Sequence, residues 1–223
     1  MNPRDLPYAE PLRAIPWTPD LDMRAVMVAN ARSCVGMHGG TRESVAAFQA
    51  LLGPMRDGAP PAWPLHKAYG RGGMSTCAMV ALGLLRRAGV ACADIRDGYA
   101  DDIGSGLDVA IAFARRLSPR SAWIRPAPGL RPSPGDVVQV LGPMHVATVV
   151  AWEDAPDGAL MCVSVDGGQV GLDGLQQISV CRRPWREDAR GAVLGTRRVD
   201  GWIDVMMLPY DGPVVVPESF VPP

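Results

Sequence analysis

The apolar residues of this 223-residue chain change their period once, and that change constrains the fold more than any other feature. Up to Leu117 they recur at helical spacing, and from Asp136 onward they fall in short runs rich in β-branched residues. Asp20 can cap a helix carried by Met23, Val26, Met27 and Ala31 to about Val35, with Gly36 as its stop. Thr41-Arg42-Glu43-Ser44 offers a second cap, before Val45, Ala46, Phe48, Leu51 and Leu52 and a stop at Gly53-Pro54. A third helix begins at or just before Cys77 and ends near Ala88-Gly89, and a further one covers Leu107 to Leu117. Strands are expected at 136–140, 145–152, 159–165, 177–183 and 198–208, and the short linkers between the first four favour an antiparallel meander. Helices first and strands after predict an α+β domain over residues 20–208, with the helices packed on one face of a C-terminal antiparallel sheet. Residues 1–19 carry five prolines and read as an extended arm, and residues 209–223 as an extended tail.

Composition narrows the partners. The formal net charge is -1, no Lys/Arg block occurs and Lys67 is the sole lysine, so neither nucleic acid nor an anionic membrane surface is expected. No apolar run approaches the ~20 residues that span a bilayer, and the N-terminus does not read as a secretory signal. Membrane insertion is not expected, and the chain reads as cytoplasmic when synthesised. The five cysteines (34, 77, 92, 162 and 181) form neither a disulfide framework nor CxxC pairs, and the three histidines (38, 66 and 145) fall in no metal-ligand spacing. No cofactor and no metal are called for. Cys34 and His38 read as a core thiol and a surface imidazole, Cys162 and Cys181 as buried thiols on neighbouring strands, and Arg182-Arg183 with Arg186 as a solvated face, one of which could instead dock a substrate carboxylate.

The reactive candidates are Cys77, His145 and Asp166. Gly70-Arg71-Gly72-Gly73-Met74-Ser75-Thr76 is a glycine-rich loop that delivers Cys77 to a helix start, where unpaired N–H groups and the helix dipole favour the thiolate. The opposing reading makes Cys77 a small apolar core residue. His145 opens one strand and Asp166 closes the next, so antiparallel pairing makes them neighbours. A thiol nucleophile needs a base within hydrogen-bond reach, and the base needs a third group to orient it.

At these residues the chain resembles the NlpC-type and CHAP-type cysteine amidases and peptidases, a papain-like group. Ser75-Thr76-Cys77-Ala78-Met79-Val80 is similar to the segment carrying their nucleophile. Pro132-Ser133-Pro134-Gly135-Asp136-Val137-Val138 followed by Pro143-Met144-His145-Val146-Ala147 is similar to their histidine hairpin. The resemblance, over about residues 63–183, implies a papain-like fold with Cys77 as nucleophile, His145 as general base and acid, and Asp166 or alternatively Gln169 as the third member. It further implies Tyr69, Gln169 and Thr76 beside the substrate, and the Cys77 N–H in an oxyanion hole. The implied reaction is hydrolysis of an amide bond through a thioester, with peptidoglycan peptide as the substrate class. The enzyme would then be a delivered antibacterial effector, countered by a cognate inhibitor or immunity protein and exported without a signal peptide, or a phage lysis enzyme. Thr-Cys-Ala-Met stands where the NlpC group has Asp-Cys-Ser-Gly. Two other outcomes fit the same residues: an intracellular cysteine peptidase or deamidase, and a catalytically silent interaction module with Cys77 in its core.

Overall fold

A computed structural model of the chain describes residues 10–38, 42–53, 76–96, 107–142, 144–170 and 174–222. The elements run in the order β1 (Leu12–Ile15), α1 (Met23–Ser33), α2 (Arg42–Leu52), α3 (Cys77–Arg87), α4 (Ala93–Arg96), α5 (Asp108–Arg116), β2 (Trp123–Ile124), β3 (Val137–Leu141) and β4 (His145–Asp154). They continue as β5 (Leu160–Val170), β6 (Gln176–Asp188), β7 (Gly191–Leu194), β8 (Arg197–Ile203), a 3₁₀ turn at Val205–Met207 and β9 (Val214–Pro217). The helical half begins where the apolar period predicts. Its first cap is Asp22 rather than Asp20: the Asp22 carboxylate accepts from the N–H groups of Arg24 and Ala25 at 2.9 and 3.1 Å.

The strands do not form the open sheet that was expected. Strands β3, β4, β5, β6, β7 and β8 pair antiparallel in sequence, and β8 returns to pair with both β7 and β3, so six strands close into a barrel. The papain-like arrangement, helices laid on one face of an antiparallel sheet, is therefore corrected to a closed antiparallel barrel with a few helices outside it. Strand β8 makes closure possible by dividing its second edge: Arg197 and Arg198 pair with β7, while Trp202 and Ile203 pair with β2.

Three register shifts, in the β3–β8, β4–β5 and β5–β6 ladders, supply the bends that a barrel of so few strands requires. The closing hairpin was not expected because Arg182 to Arg197 is rich in charge. Three of its inward positions are nonetheless apolar: Trp185, Ala192 and Leu194 are buried among Val138, Val140, Ala147, Val149, Val199 and Trp202 inside the barrel. Gly195, at φ +65°, turns the chain between β7 and β8 in a conformation that side chains rarely adopt.

A second core lies outside the wall. Val146, Val150, Val163, Val165 and Ile178 face outward against Met27, Leu51, Val80 and Leu84 of the helices. Helix α3 packs across β4 and β5, which sets its first residue at the rim where β4 begins. The arm and tail are joined: β1 pairs antiparallel with β9, Leu12 opposite Pro217 and Ile15 opposite Val214. Asn30 of α1 donates to the Val215 carbonyl at 2.7 Å, tying this ribbon to the helices.

Candidate active site

Cys77 is the first residue of α3, with Thr76 as its N-cap. The Thr76 hydroxyl does not cap its own helix, because it donates to Gln176 Oε1 at 2.7 Å, and the Thr76 N–H donates to the same oxygen at 2.9 Å. Gln176 is fully buried at the start of β6, so this double contact fastens the helix start to the barrel wall. Thr76 is itself fully buried. Its side chain and N–H both serve this anchor.

The approach of α3 to the wall depends on Gly167. A methyl group there would lie 2.5 Å from Val80 Cγ2 and 2.9 Å from the Thr76 carbonyl oxygen. Gly167-Gly168 also forms the bulge after which the register resumes at Gln169 opposite Gln177. Gly167→Ala is expected to cost about 1–3 kcal/mol in urea unfolding, since backbone rather than a flexible side chain must give way. It is also expected to slow alkylation of Cys77 by displacing the helix start from His145.

His145 opens β4 and Asp166 stands near the end of β5. The register Thr148 opposite Val165 puts both on the inward side as diagonal neighbours. His145 Nε2 meets Asp166 Oδ2 at 2.5 Å, with the His145 side chain 11% exposed and that of Asp166 fully buried. The Cys77 side chain lies close enough to the His145 ring to help raise its pKa. With Nε2 committed to Asp166, Nδ1 is the nitrogen left for the thiol. Carboxylate and imidazole are in direct contact, and the thiol acts electrostatically on the same ring.

Electrostatics reinforce that chain. Burial disfavours the imidazolium, but hydrogen bonds to Asp166 and Cys77 and the charges of both outweigh it and push His145 up to about 9. Burial also opposes the Asp166 carboxylate, yet the hydrogen bond from His145 and the Arg183 guanidinium hold it below the usual carboxylate range. Arg183 Nη2 lies 2.8 Å from Asp166 Oδ2, and its Nη1 donates to Ser164 Oγ at 3.1 Å. Ser164 in turn donates to Asp166 Oδ1 at 2.6 Å. Each carboxylate oxygen is thus occupied, which fixes Asp166 in the plane that holds the imidazole.

Gln169, the alternative third member, lies beyond the bulge, and the Nε2 position is held by Asp166. Tyr69 lies outside the described residues, as does the glycine-rich loop up to Ser75. Reasoning from sequence missed Ser164, Gln176 and Arg183. Arg183 was read with Arg182 as solvated, but the period of a strand sends them to opposite sides: Arg182 meets Glu153 at 3.1 Å on the surface while Arg183 turns inward. That alternation was the available signal. Gln176 had none, because only folding brings it to Thr76.

None of the five cysteines forms a disulfide. Burial pushes Cys34 and Cys181 up and Cys162 to about 12, which keeps these three as neutral thiols. Among the described residues, no group of three or more His, Cys, Asp or Glu side chains could hold a metal ion. No described helix is long and apolar enough to cross a membrane. No protein-family model, curated protein or solved structure matches the chain, so the resemblance to cysteine amidases rests on the residues themselves.

Proposed function

We propose that the chain is a cysteine hydrolase that cleaves an amide bond through a thioester acyl-enzyme. The observation that supports this reading is the contact chain Cys77–His145–Asp166, with the thiol at a helix start and the imidazole held by a buried carboxylate. In the first half-reaction the Cys77 sulfur attacks the carbonyl carbon and the carbonyl π pair moves onto oxygen. The tetrahedral intermediate then collapses, and the C–N bond breaks as the His145 imidazolium gives its proton to the leaving nitrogen. In the second half-reaction neutral His145 takes a proton from water, hydroxide adds to the thioester, and the thiolate leaves as the carboxylic acid forms. Asp166 keeps its charge throughout, orienting the ring and stabilising the imidazolium.

The substrate class proposed is peptide, with peptidoglycan stem peptide suggested by the resemblance of the Cys77 and His145 segments. The test is mass spectrometry of purified peptidoglycan incubated with the protein. New termini with the native chain and none with Cys77→Ala support the reading. Unchanged fragments together with turnover of soluble peptides or glutamine amides point to an intracellular peptidase or deamidase. A Cys77 inert to thiol probes at pH 6 favours the interaction module, for which its 8% exposure within the helix core is the supporting observation.

Because the His145 proton is held to about 9, hydrolysis is expected to fall as pH rises through that value, where the general acid is lost. Stability follows the same group. Its pKa is raised on folding, so its contribution is complete below the unfolded value near 6.5 and is lost as pH rises through about 9. Urea midpoints measured between pH 6 and 10 should therefore decline over that window. A flat profile would detach His145 from its two partners.

A further inference from the structure

Asp166 holds the imidazole through an oxygen that it shares. Oδ2 meets His145 Nε2 at 2.5 Å and Arg183 Nη2 at 2.8 Å, so a guanidinium and the ring stand on one carboxylate atom. The other end of the Arg183 fork donates to Ser164 Oγ at 3.1 Å, and Ser164 donates to Asp166 Oδ1 at 2.6 Å. Orienting a ring needs one acceptor in its plane, which Oδ2 alone supplies. Arg183 adds a fixed positive charge that competes with the imidazolium for the same carboxylate. Two further groups face the ring: Cys77 at the start of α3, and Arg197 of β8, which lines the same small cavity as His145 and Arg183. The thiols of Cys162 and Cys181, beside Asp166 and Arg183, are kept neutral by burial.

The two half-reactions make opposite demands on His145. Breaking the C–N bond needs the imidazolium, whereas hydrolysing the thioester needs a neutral ring that takes a proton from water. Once Cys77 is acylated its negative charge is gone, and Asp166 is the remaining anion on the ring. A fully buried carboxylate without another counter-charge would keep the proton on His145 and stall the acyl-enzyme. We propose that Arg183 is a positioning residue that acts through Asp166 to limit its hold on the His145 proton, which lets the thioester be hydrolysed. Ser164 assists by taking up charge at Oδ1. This role rests on the reading of Cys77 and His145 as the reacting pair.

The midpoint of the His145 ring titration, followed by NMR, tests it. The ring signals are those absent from His145→Gln. Native chain and Arg183→Gln are compared with Cys77 present and again with Cys77→Ala, which removes the thiolate charge as acylation does. Loss of the guanidinium is expected to raise the midpoint by about one pH unit or more, a tenfold tighter proton. Ser164→Ala should raise it less, and Arg183→Lys, which keeps the charge without the fork, should stay close to native. The sign separates this role from a merely structural one. An arginine that only holds Asp166 in place would, on removal, let the carboxylate drift from the ring and lower the midpoint. A midpoint that is unchanged or lowered in Arg183→Gln overturns the proposal. Should that variant not fold, Ser164→Ala decides by the same sign.

Intact-mass measurement during incubation with purified peptidoglycan peptides reads the catalytic consequence. Arg183→Gln is expected to hydrolyse the thioester about tenfold more slowly at neutral pH, so that acylated Cys77 accumulates relative to the native chain. A variant that still cleaves, with a raised midpoint and no such accumulation, overturns the role in thioester hydrolysis. A native chain that neither acylates nor cleaves removes the hydrolase reading, while a raised midpoint in Arg183→Gln still upholds the coupling of Arg183 to His145.

Discussion

Cys77→Ala is expected to lower amide hydrolysis by about a thousandfold or more while leaving the fold in place. The substitution removes one sulfur atom at the start of α3 and keeps a good helix former there. The anchors of that helix start are elsewhere: Gln176 holds the Thr76 N–H and hydroxyl, and Gly167 fits beneath Val80. Thermal unfolding followed by circular dichroism should therefore move little. Cys77→Ser is expected to be nearly as inactive, because a hydroxyl is a far weaker nucleophile at the same imidazole. A Cys77→Ala variant that unfolds instead would assign the thiol to the helix core, where it has apolar neighbours, and would remove the catalytic reading.

Asp166→Ala is expected to damage stability as well as rate. The carboxylate is fully buried and accepts from His145, Ser164 and Arg183 together. Its removal leaves a partly buried guanidinium and an imidazole without their counter-charge, a loss of about 3–5 kcal/mol. Hydrolysis should fall by roughly 10²–10⁴ as the ring loses its orientation and its raised pKa. The decline of stability between pH 6.5 and 9 should flatten in the same variant, since His145 would no longer bind its proton more tightly when folded.

Asp166→Asn keeps an acceptor for the ring and should lose less of both. Combining Asp166→Asn with Arg183→Met removes the stranded charge, so the pair is expected to cost less than the sum of the two single changes. Strict additivity in urea unfolding would show that Arg183 and Asp166 do not act as a unit.

The order of helices and strands was legible because each apolar run carries its own period, and local spacing needs no knowledge of the rest of the chain. The meeting of His145 with Asp166 was legible for a related reason. A short linker makes β4 and β5 antiparallel, and two residues at facing ends of such strands become neighbours whatever lies beyond.

Barrel closure was not legible. It depends on β8, which follows β7 directly, also reaching β3 far back in the sequence. The hairpin that completes it hides Trp185, Ala192 and Leu194 among charged residues, some paired at the surface and Arg183 paired with Asp166. The supporting residues were out of reach for the same reason. Arg183 serves Asp166 only because β5 and β6 align in one register, and Gln176 meets Thr76 across 100 positions of chain, whereas Ser164 stands two residues before Asp166 on the same strand. Sequence alone determined which side chains could react and the order in which they come. The tertiary structure decided what surrounds them, because counter-charges and anchors are set by contacts between strands that local sequence does not encode.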